Sequence, residues 1–275
     1  MVRNRPKDER CVLEPVAGDN PDRSLRALLL LEAVANADAP MSLAQLSDRL
    51  EAPKATLLRM LVALERLGYL LREVDEKAYL LGPRANRLGL SLLRNEVVLQ
   101  RSRLILQALV RQLGETCNLT ALDGERVIYI DRVETHEPLR LHVEPGTHVP
   151  LHCTASGKLF LSQMPAERRS AVLKHLELTP QTDRSITDID LLETELERIR
   201  LRGVGIDSEE FVRGMVAVAV PIISVDGHCL AALACHAPTA RKSLGDLIEH
   251  IPRLQAAAAQ LALAFAPDSS PVEPC

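Results

Sequence analysis

The chain has 275 residues, 47% apolar and 25% charged, which excludes wholesale disorder and suits two packed domains better than one. Three Tyr, three Phe and no Trp leave Leu, Val and Ala to build the cores, and disfavour an aromatic platform for stacking single-stranded bases. A formal net charge of −4 gives no global attraction for nucleic acid, so any DNA contact must rest on local positive charge and on dimerisation.

Residues 1–21 mix Arg3, Arg5, Lys7 and Arg10 with Asp8, Glu9, Glu14 and Asp19 and hold no signal-peptide core, so they read as a mobile, solvated N-terminal arm. The basic residues suit a minor-groove contact as a second reading. Glu32 interrupts LRALLLLEAVANA, the most apolar run, so no membrane span is expected. Cysteines 11, 117, 153, 229, 235 and 275 form no C-x-x-C framework, and a cytoplasmic protein with reduced thiols is the expectation.

Residues 22–82 read as one domain. After Asp22 and Ser24, LRALLLLEAVANA predicts a buried supporting helix. Ser42 and Gln45 then form an S-x-x-Q capping box before Leu43, Leu46 and Leu50, the apolar side of a short helix. Pro53 opens a second helix whose apolar stripe is Leu57, Leu61, Leu64 and Leu67. Its other face carries Lys54, Ala55, Thr56 and Arg59, and Gly68 closes it. Tyr69–Leu71 and 77–81 predict two strands about a charged turn. Two helices alone would also fit an ordinary αα-hairpin, but a strand hairpin directly after them makes a winged helix-turn-helix. The DNA-contact candidates are Ser42, Gln45, Lys54, Ala55, Thr56 and Arg59, with Arg72 and Lys77 of the wing on phosphates.

Pro83 opens a linker helix over 83–96, and a further helical pattern over 96–113 has Leu99, Leu104, Leu106, Leu109, Val110 and Leu113 as its apolar side. From Cys117 the period changes. Residues 117–124, 125–134 and 139–145 read as antiparallel strands with turns at Asp123-Gly124 and Pro145-Gly146. Helical patterns follow at 154–163, 165–176 and 188–202, then strands 215–227 and 228–238 meeting at Asp226-Gly227, and a final helix over 244–265. Residues 97–266 thus form an α+β domain, and 267–275 a tail.

In PLHCTASGK, Thr154 is a good N-cap, and open N–H groups at Ala155, Ser156 and Gly157 suit a small anion. On these residues alone, a capped helix start with nothing bound is the simpler reading. His152-Cys153, His228-Cys229 and Cys235-His236 place zinc-type ligands in this part of the chain. Strand neighbours point to opposite faces, however, and alternation puts Cys229 with Cys235 but not with His236, so no metal site is assigned. Ser156 and Lys158 have S-x-K rather than S-x-x-K spacing, and no G-x-S-x-G, P-loop or dinucleotide fingerprint occurs. No catalytic residue and no cofactor is therefore assigned, and a Ser/Lys hydrolase is only a remote alternative.

SLRALLLLEAV, SLAQLSDRLEAPKATLLRMLVALERLGYL and YLLGPRANRLG, with PLHCTASGK, GVGIDSEEFVRGMVAVAVPI and ALACHAP, are similar to the IclR family of bacterial transcriptional regulators from Asp22 to Ala266. The resemblance implies an α+β chain: an N-terminal winged helix-turn-helix, a linker helix and a GAF-like α+β effector-binding domain that also oligomerises. It implies a homodimer or dimer of dimers on a partly palindromic double-stranded operator, controlled by a small carboxylic acid, with no membrane partner. Repression is the commoner expectation, and activation stays open. The effector positions it implies are Leu141, Val149, Ala155, Ser156, Asp207, Ala217, Ala234 and His236; Thr154 and Gly157 of the same helix start and Cys235 of the last strand are candidates beside them. Three residues depart from the family pattern: Ala55 stands where serine is common, Ala217 where several members have cysteine, and His236 where serine is frequent. A histidine there suggests a pH-sensitive pocket. A sensor or scaffold without DNA binding is the alternative reading.

Overall fold

The computed structural model describes residues 23–37, 39–73, 77–225 and 227–265. The expected N-terminal arm, the C-terminal tail, part of the wing's charged turn and Asp226 lie outside them. The chain opens with α1 (Arg23–Ala35), β1 (Met41–Ser42), α2 (Leu43–Arg49), α3 (Lys54–Arg66), β2 (Leu70–Arg72) and β3 (Ala78–Leu81). The capping box forms: Ser42 Oγ accepts from the Gln45 N–H at 3.3 Å, and the Ser42 N–H donates to Gln45 Oε1 at 2.8 Å. At the other end of α3, Gly68 adopts φ +76°. Its N–H reaches the Glu65 carbonyl and that of Tyr69 reaches Leu64, both at 2.9 Å, a Schellman closure that turns the chain back into β2. The three strands pair antiparallel in the order β1-β3-β2. Leu30, Ala33, Val34, Leu46, Leu57, Leu61, Leu70 and Tyr79 form the core beneath them.

Two expectations need correction here. α1 is buried on one side only, with Leu25, Leu28 and Leu29 exposed, because a single small sheet and two short helices cannot cover a whole helix. Leu67 is exposed rather than completing the stripe of α3, since Gly68 ends the helix just beyond it.

α4 (Pro83–Leu93) is tied at its start to the end of α3. The Gly82 N–H donates to the Tyr69 carbonyl at 2.7 Å and the Arg84 N–H to the Gly68 carbonyl at 3.0 Å. The Arg84 guanidinium also stacks 4.9 Å from the centre of the Tyr69 ring. The expected linker to residue 96 stops at Leu93, and α5 (Glu96–Leu113) begins almost at once. Leu106, Leu109, Val110 and Leu113 of α5 are buried, but Leu104 is exposed. The helical period brings Ser102, not Leu104, to the inner face.

The C-terminal part holds β4 (Thr116–Asp123), β5 (Arg126–Val133), β6 (His148–Pro150), α6 (Ala155–Gln163), α7 (Ala166–His175), α8 (Ile189–Arg202), β7 (Gly205–Ser208), β8 (Met215–Ile223), β9 (Cys229–Pro238), α9 (Leu244–Glu249) and α10 (Ile251–Phe265). One antiparallel sheet runs β6-β5-β4-β9-β8-β7. α5 and α10 cover one face, over Leu119, Val218, Val220, Leu233 and Cys235. α6, backed by α8, covers the other, over Tyr129, Ala219, Ala232 and Ala234.

Further departures from the sequence pattern have local causes. Residues 139–145 are not a strand, despite their alternation. The Glu134 carboxylate holds the side chains of Arg140 and His142, each at 2.8 Å, while Arg132 Nη2 donates to the Leu141 carbonyl. Side chains therefore fix this segment where a ladder was expected, and the edge strand is β6 instead. β7, unexpected from sequence, closes the opposite edge. The final helix is two, parted at His250, because Pro252 has no N–H to continue the ladder of α9.

Gly157 lies in the first turn of α6, where an added Cβ would drive into the backbone of Leu151. Gly157→Ala should therefore destabilise the protein by about 1–3 kcal/mol in denaturant unfolding, against a small effect at the open position Gly89.

Candidate functional site

α6 begins over the sheet with Thr154 as its cap. The Thr154 hydroxyl accepts from the Gly157 N–H at 3.1 Å and donates to the Pro150 carbonyl at 2.7 Å. The Lys158 N–H takes the Thr154 carbonyl at 3.0 Å. Helix geometry leaves the N–H groups of Ala155 and Ser156 without intrahelical acceptors, and both residues line a cleft between α6 and the sheet.

Leu141, Val149, Thr154, Ala155, Ser156, Asp207, Ala217, Ala234 and His236 all line this cleft. Two expected residues do not. Gly157 spends its N–H on Thr154 and packs against Leu151, so it serves the helix start. Cys235 points through the sheet to the α5 and α10 side, opposite Cys117, as strand alternation from His236 requires. The cleft also uses Asn118, Thr120, Val127, Tyr129, Phe211, Val212 and Met215. Alternation along β4 and β5 was the available signal for the first four. Alternation from Ala217 along the expected strand marks Met215 as well, whereas the loop residues Phe211 and Val212 carry no period that marks them.

The charged groups fall at two places. Near the start of α6, Asp207 Oδ1 accepts from the Glu210 N–H at 2.7 Å and more loosely from Phe211 at 3.4 Å. Burial pushes its carboxyl up to about 7. Behind it, the fully buried Lys158 pairs with Glu210 and ties α6 to the β7–β8 loop that supplies Phe211 and Val212. At the far end, Asn118 Nδ2 lies 3.0 Å from His236 Nδ1, and Arg132 Nη1 donates to Asn118 Oδ1 at 3.2 Å. Burial, reinforced by Arg132, pushes His236 down to about 3. The ring stays neutral at physiological pH, which overturns the expectation of a pH-sensitive histidine. Arg132 reaches this side because β5 carries an extra residue, Ile130, between Tyr129 and Asp131. The bulge turns Asp131 toward Arg103 of α5, 3.6 Å away, and Arg132 toward Asn118.

A second bulge corrects the cysteine geometry. Ile222 pairs with Ala231 and Ile223 with Cys229, so Leu230 is the extra residue. Cys229 consequently packs on the α6 side and Cys235 on the α5 side. Among the described residues no three metal-ligating side chains gather, and Cys117, Cys153, Cys229 and Cys235 are unpaired thiols. Lys158 is bound to Glu210 and does not line the cleft beside Ser156.

On α3, Lys54, Ala55 and Arg59 are exposed and Thr56 is half-buried. Leu58 and Val62 share the exposed surface; the leucine stripe masked them in the sequence. Ser42 and Gln45 commit polar atoms to the start of α2. In the wing, Arg72 lies 6.0 Å from the centre of the Tyr79 ring and Lys77 is exposed at φ +51°.

Residues 25–73 match the IclR helix-turn-helix domain, and residues 90–263 match the C-terminal domain described as bacterial transcriptional regulator IclR C-terminal. The chain belongs to the IclR family. It is a DNA-binding transcriptional regulator. It is 39% identical over 242 residues to the probable transcriptional regulator SauR of Cupriavidus necator, covering 88% of this chain and 96% of that one. It is 31% identical to the acetate operon repressor of Salmonella typhimurium, over 78% of this chain and 80% of that one. Among solved structures, the Thermotoga maritima IclR covers 87% of this chain and 97% of its own at 28% identity and TM-score 0.59. A double mutant of the PobR inducer-binding domain from Acinetobacter, in complex with 3-hydroxybenzoic acid, covers 57% of this chain and 93% of its own, at 28% identity and TM-score 0.53. Among the described residues no helix is long and apolar enough to cross a membrane.

The raised carboxyl of Asp207 makes its ionised form the costly one in the folded protein. Its contribution to stability is full below the ordinary aspartate range and is lost as pH rises through about 7. Asp207→Asn keeps the Oδ1 acceptor and removes the charge. It should raise the melting midpoint more at about pH 8 than at about pH 5, as scanning calorimetry at the two pH values would show.

Proposed function

We propose that this protein is a cytoplasmic repressor whose hold on a partly palindromic operator is controlled by a small organic acid bound beneath the start of α6. The observation that carries the reading is that Ala155 and Ser156, whose N–H groups have no intrahelical acceptor, line a cleft walled by Leu141, Val149, Ala217 and Ala234. A carboxylate there meets two donors and the positive end of a helix, while its carbon chain rests on apolar side chains. The acid bound to the PobR domain supports the ligand class, and the Salmonella relative supports repression.

On DNA, α3 enters the major groove with Ala55 and Thr56 toward base edges or thymine methyls, Arg59 on a guanine or phosphate and Lys54 on a phosphate. Leu58 adds an apolar surface for a methyl group. Arg72 and Lys77 follow the backbone. The protein acts as a homodimer or dimer of dimers, and the exposed leucines 25, 28 and 29 of α1 and 88 and 92 of α4 offer apolar surface for that association.

Coupling between the two sites follows the contacts of α4. Leu141 lines the cleft, and Gly146, farther along the same segment, lies beside the Arg94 guanidinium at the end of α4. Leu90 and Leu93 pack on the sensor core, while the start of α4 is bonded to Gly68 and Tyr69. A ligand that favours one position of residues 139–146 thereby biases α4 and the spacing of paired α3 helices.

Arg59→Ala should cost roughly 1–3 kcal/mol at one operator position if Arg59 reads a base, and Lys54→Ala should weaken all sequences alike, both measured by salt-controlled DNA titration. Unchanged DNA binding in both variants would instead favour a scaffold. A bound acid at about a hundred times its dissociation constant should add roughly 2.7 kcal/mol of stability to the full chain, and Ser156→Leu should remove that gain. Affinity should fall as pH rises through about 7, where Asp207 ionises beside the ligand, and Asp207→Asn should flatten the profile.

A further inference from the structure

The far end of the cleft carries an unmet demand for an oxygen acceptor. Arg132 can only donate, so its bond to Asn118 Oδ1 fixes that amide and turns Nδ2 toward His236 Nδ1. Nδ1 must then be an acceptor without a proton, and the ring's proton sits on Nε2. Nε2 lies 3.5 Å from Arg132 Nη2, which is also a donor. Nη2 gives one N–H to the Leu141 carbonyl, but its other N–H and that of Nε2 meet in a buried place with no acceptor between them, and His236 lines the cleft.

The charge at this end is also incompletely balanced. Glu134 is shared by Arg132 at 3.1 Å, Arg140 at 2.8 Å and His142 at 2.8 Å, so one carboxylate faces two guanidiniums. Asp131, the next nearest carboxylate in sequence, faces Arg103 on the other side of the sheet. Glu115 is committed to Arg241. Arg140 and His142 reach solvent, so Glu134 is shared outward, and the buried Arg132 guanidinium favours an anionic acceptor over a hydroxyl or ketone.

We infer that His236 Nε2 and Arg132 Nη2 bind a second acidic group of the effector, which makes the effector a short dianionic acid held at both ends of the cleft. This inference rests on the organic-acid reading above and narrows it. One acidic group takes the N–H groups at the start of α6, the other the paired donors at the far end, and the alanines of β8 and β9 leave room for the chain between them.

The test is calorimetric titration of the full chain with malonate, succinate and glutarate, against butyrate as a monoacid. The best diacid should bind roughly tenfold or more tightly than butyrate, as one added charge-assisted contact requires. His236→Phe, which keeps an aromatic ring but has no N–H, should erase most of that preference. A measurement independent of any variant is the His236 imidazole ¹⁵N spectrum, in which Nε2 should shift with the diacid and not with butyrate. Equal binding of butyrate and every diacid would overturn this inference alone. So would a His236→Phe variant that weakens both acid types equally, or an Nε2 signal that ignores the diacid. Failure of every acid to bind would instead overturn the organic-acid reading, and this inference with it.

Discussion

The constraint on which the C-terminal half depends is that its single sheet must be buried on both faces. Toward α5 and α10 the strands present Leu119, Val218, Val220 and Leu233, which fill the space under those helices. Toward α6 and α8 they present Ala217, Ala219, Ala232 and Ala234. Alanine leaves a gap between sheet and helix, and the gap under the start of α6 is the cleft. The same difference in side-chain volume that closes one layer therefore opens the other. The buried Lys158 and Glu210 pair holds the β7–β8 loop across the open side. A buried ion pair of this kind is weak evidence of net stability but strongly fixes relative position, since losing either partner strands a charge.

Irregularities in the strands do as much as the strands themselves. An extra residue in β5 reverses which side Asp131 and Arg132 face, and so delivers a guanidinium to Asn118 and His236. An extra residue in β9 separates Cys229 from Cys235. A third irregularity, the side-chain-held segment 139–146, replaces an edge strand with a covering that carries Leu141 into the cleft and Gly146 toward α4.

The N-terminal half shows the opposite economy. Its caps are local and complete: Ser42 with Gln45 starts α2, and Gly68 with Tyr69 ends α3 by hydrogen bonds within a few residues. The same two residues at the end of α3 receive Gly82 and Arg84 at the start of α4. One turn of chain therefore both terminates the exposed helix and anchors the helix that leads to the sensor, which joins the position of α3 to that of α4.

The capping box, the glycine end of α3, the Thr154 cap and the apolar periods of α2 and of α3 short of Leu67 were legible in the sequence because each is settled by neighbours within one or two turns. So were nine of the eleven expected cleft residues, largely through the family pattern they share. Alternation misled wherever its count was interrupted: at Ile130, at Leu230 and along residues 139–145, where Glu134 and Arg132 outcompete a strand partner. The state of His236 depends on burial and on Arg132, more than a hundred positions away in the chain, so no local pattern revealed that it is neutral. The sequence by itself determined most of the helices, their caps and the turn at Thr154, all set over short chain distances. Only the tertiary structure decided which polar side chains meet inside the cleft, because strand register and bulges choose their faces, and a one-residue shift reverses that choice.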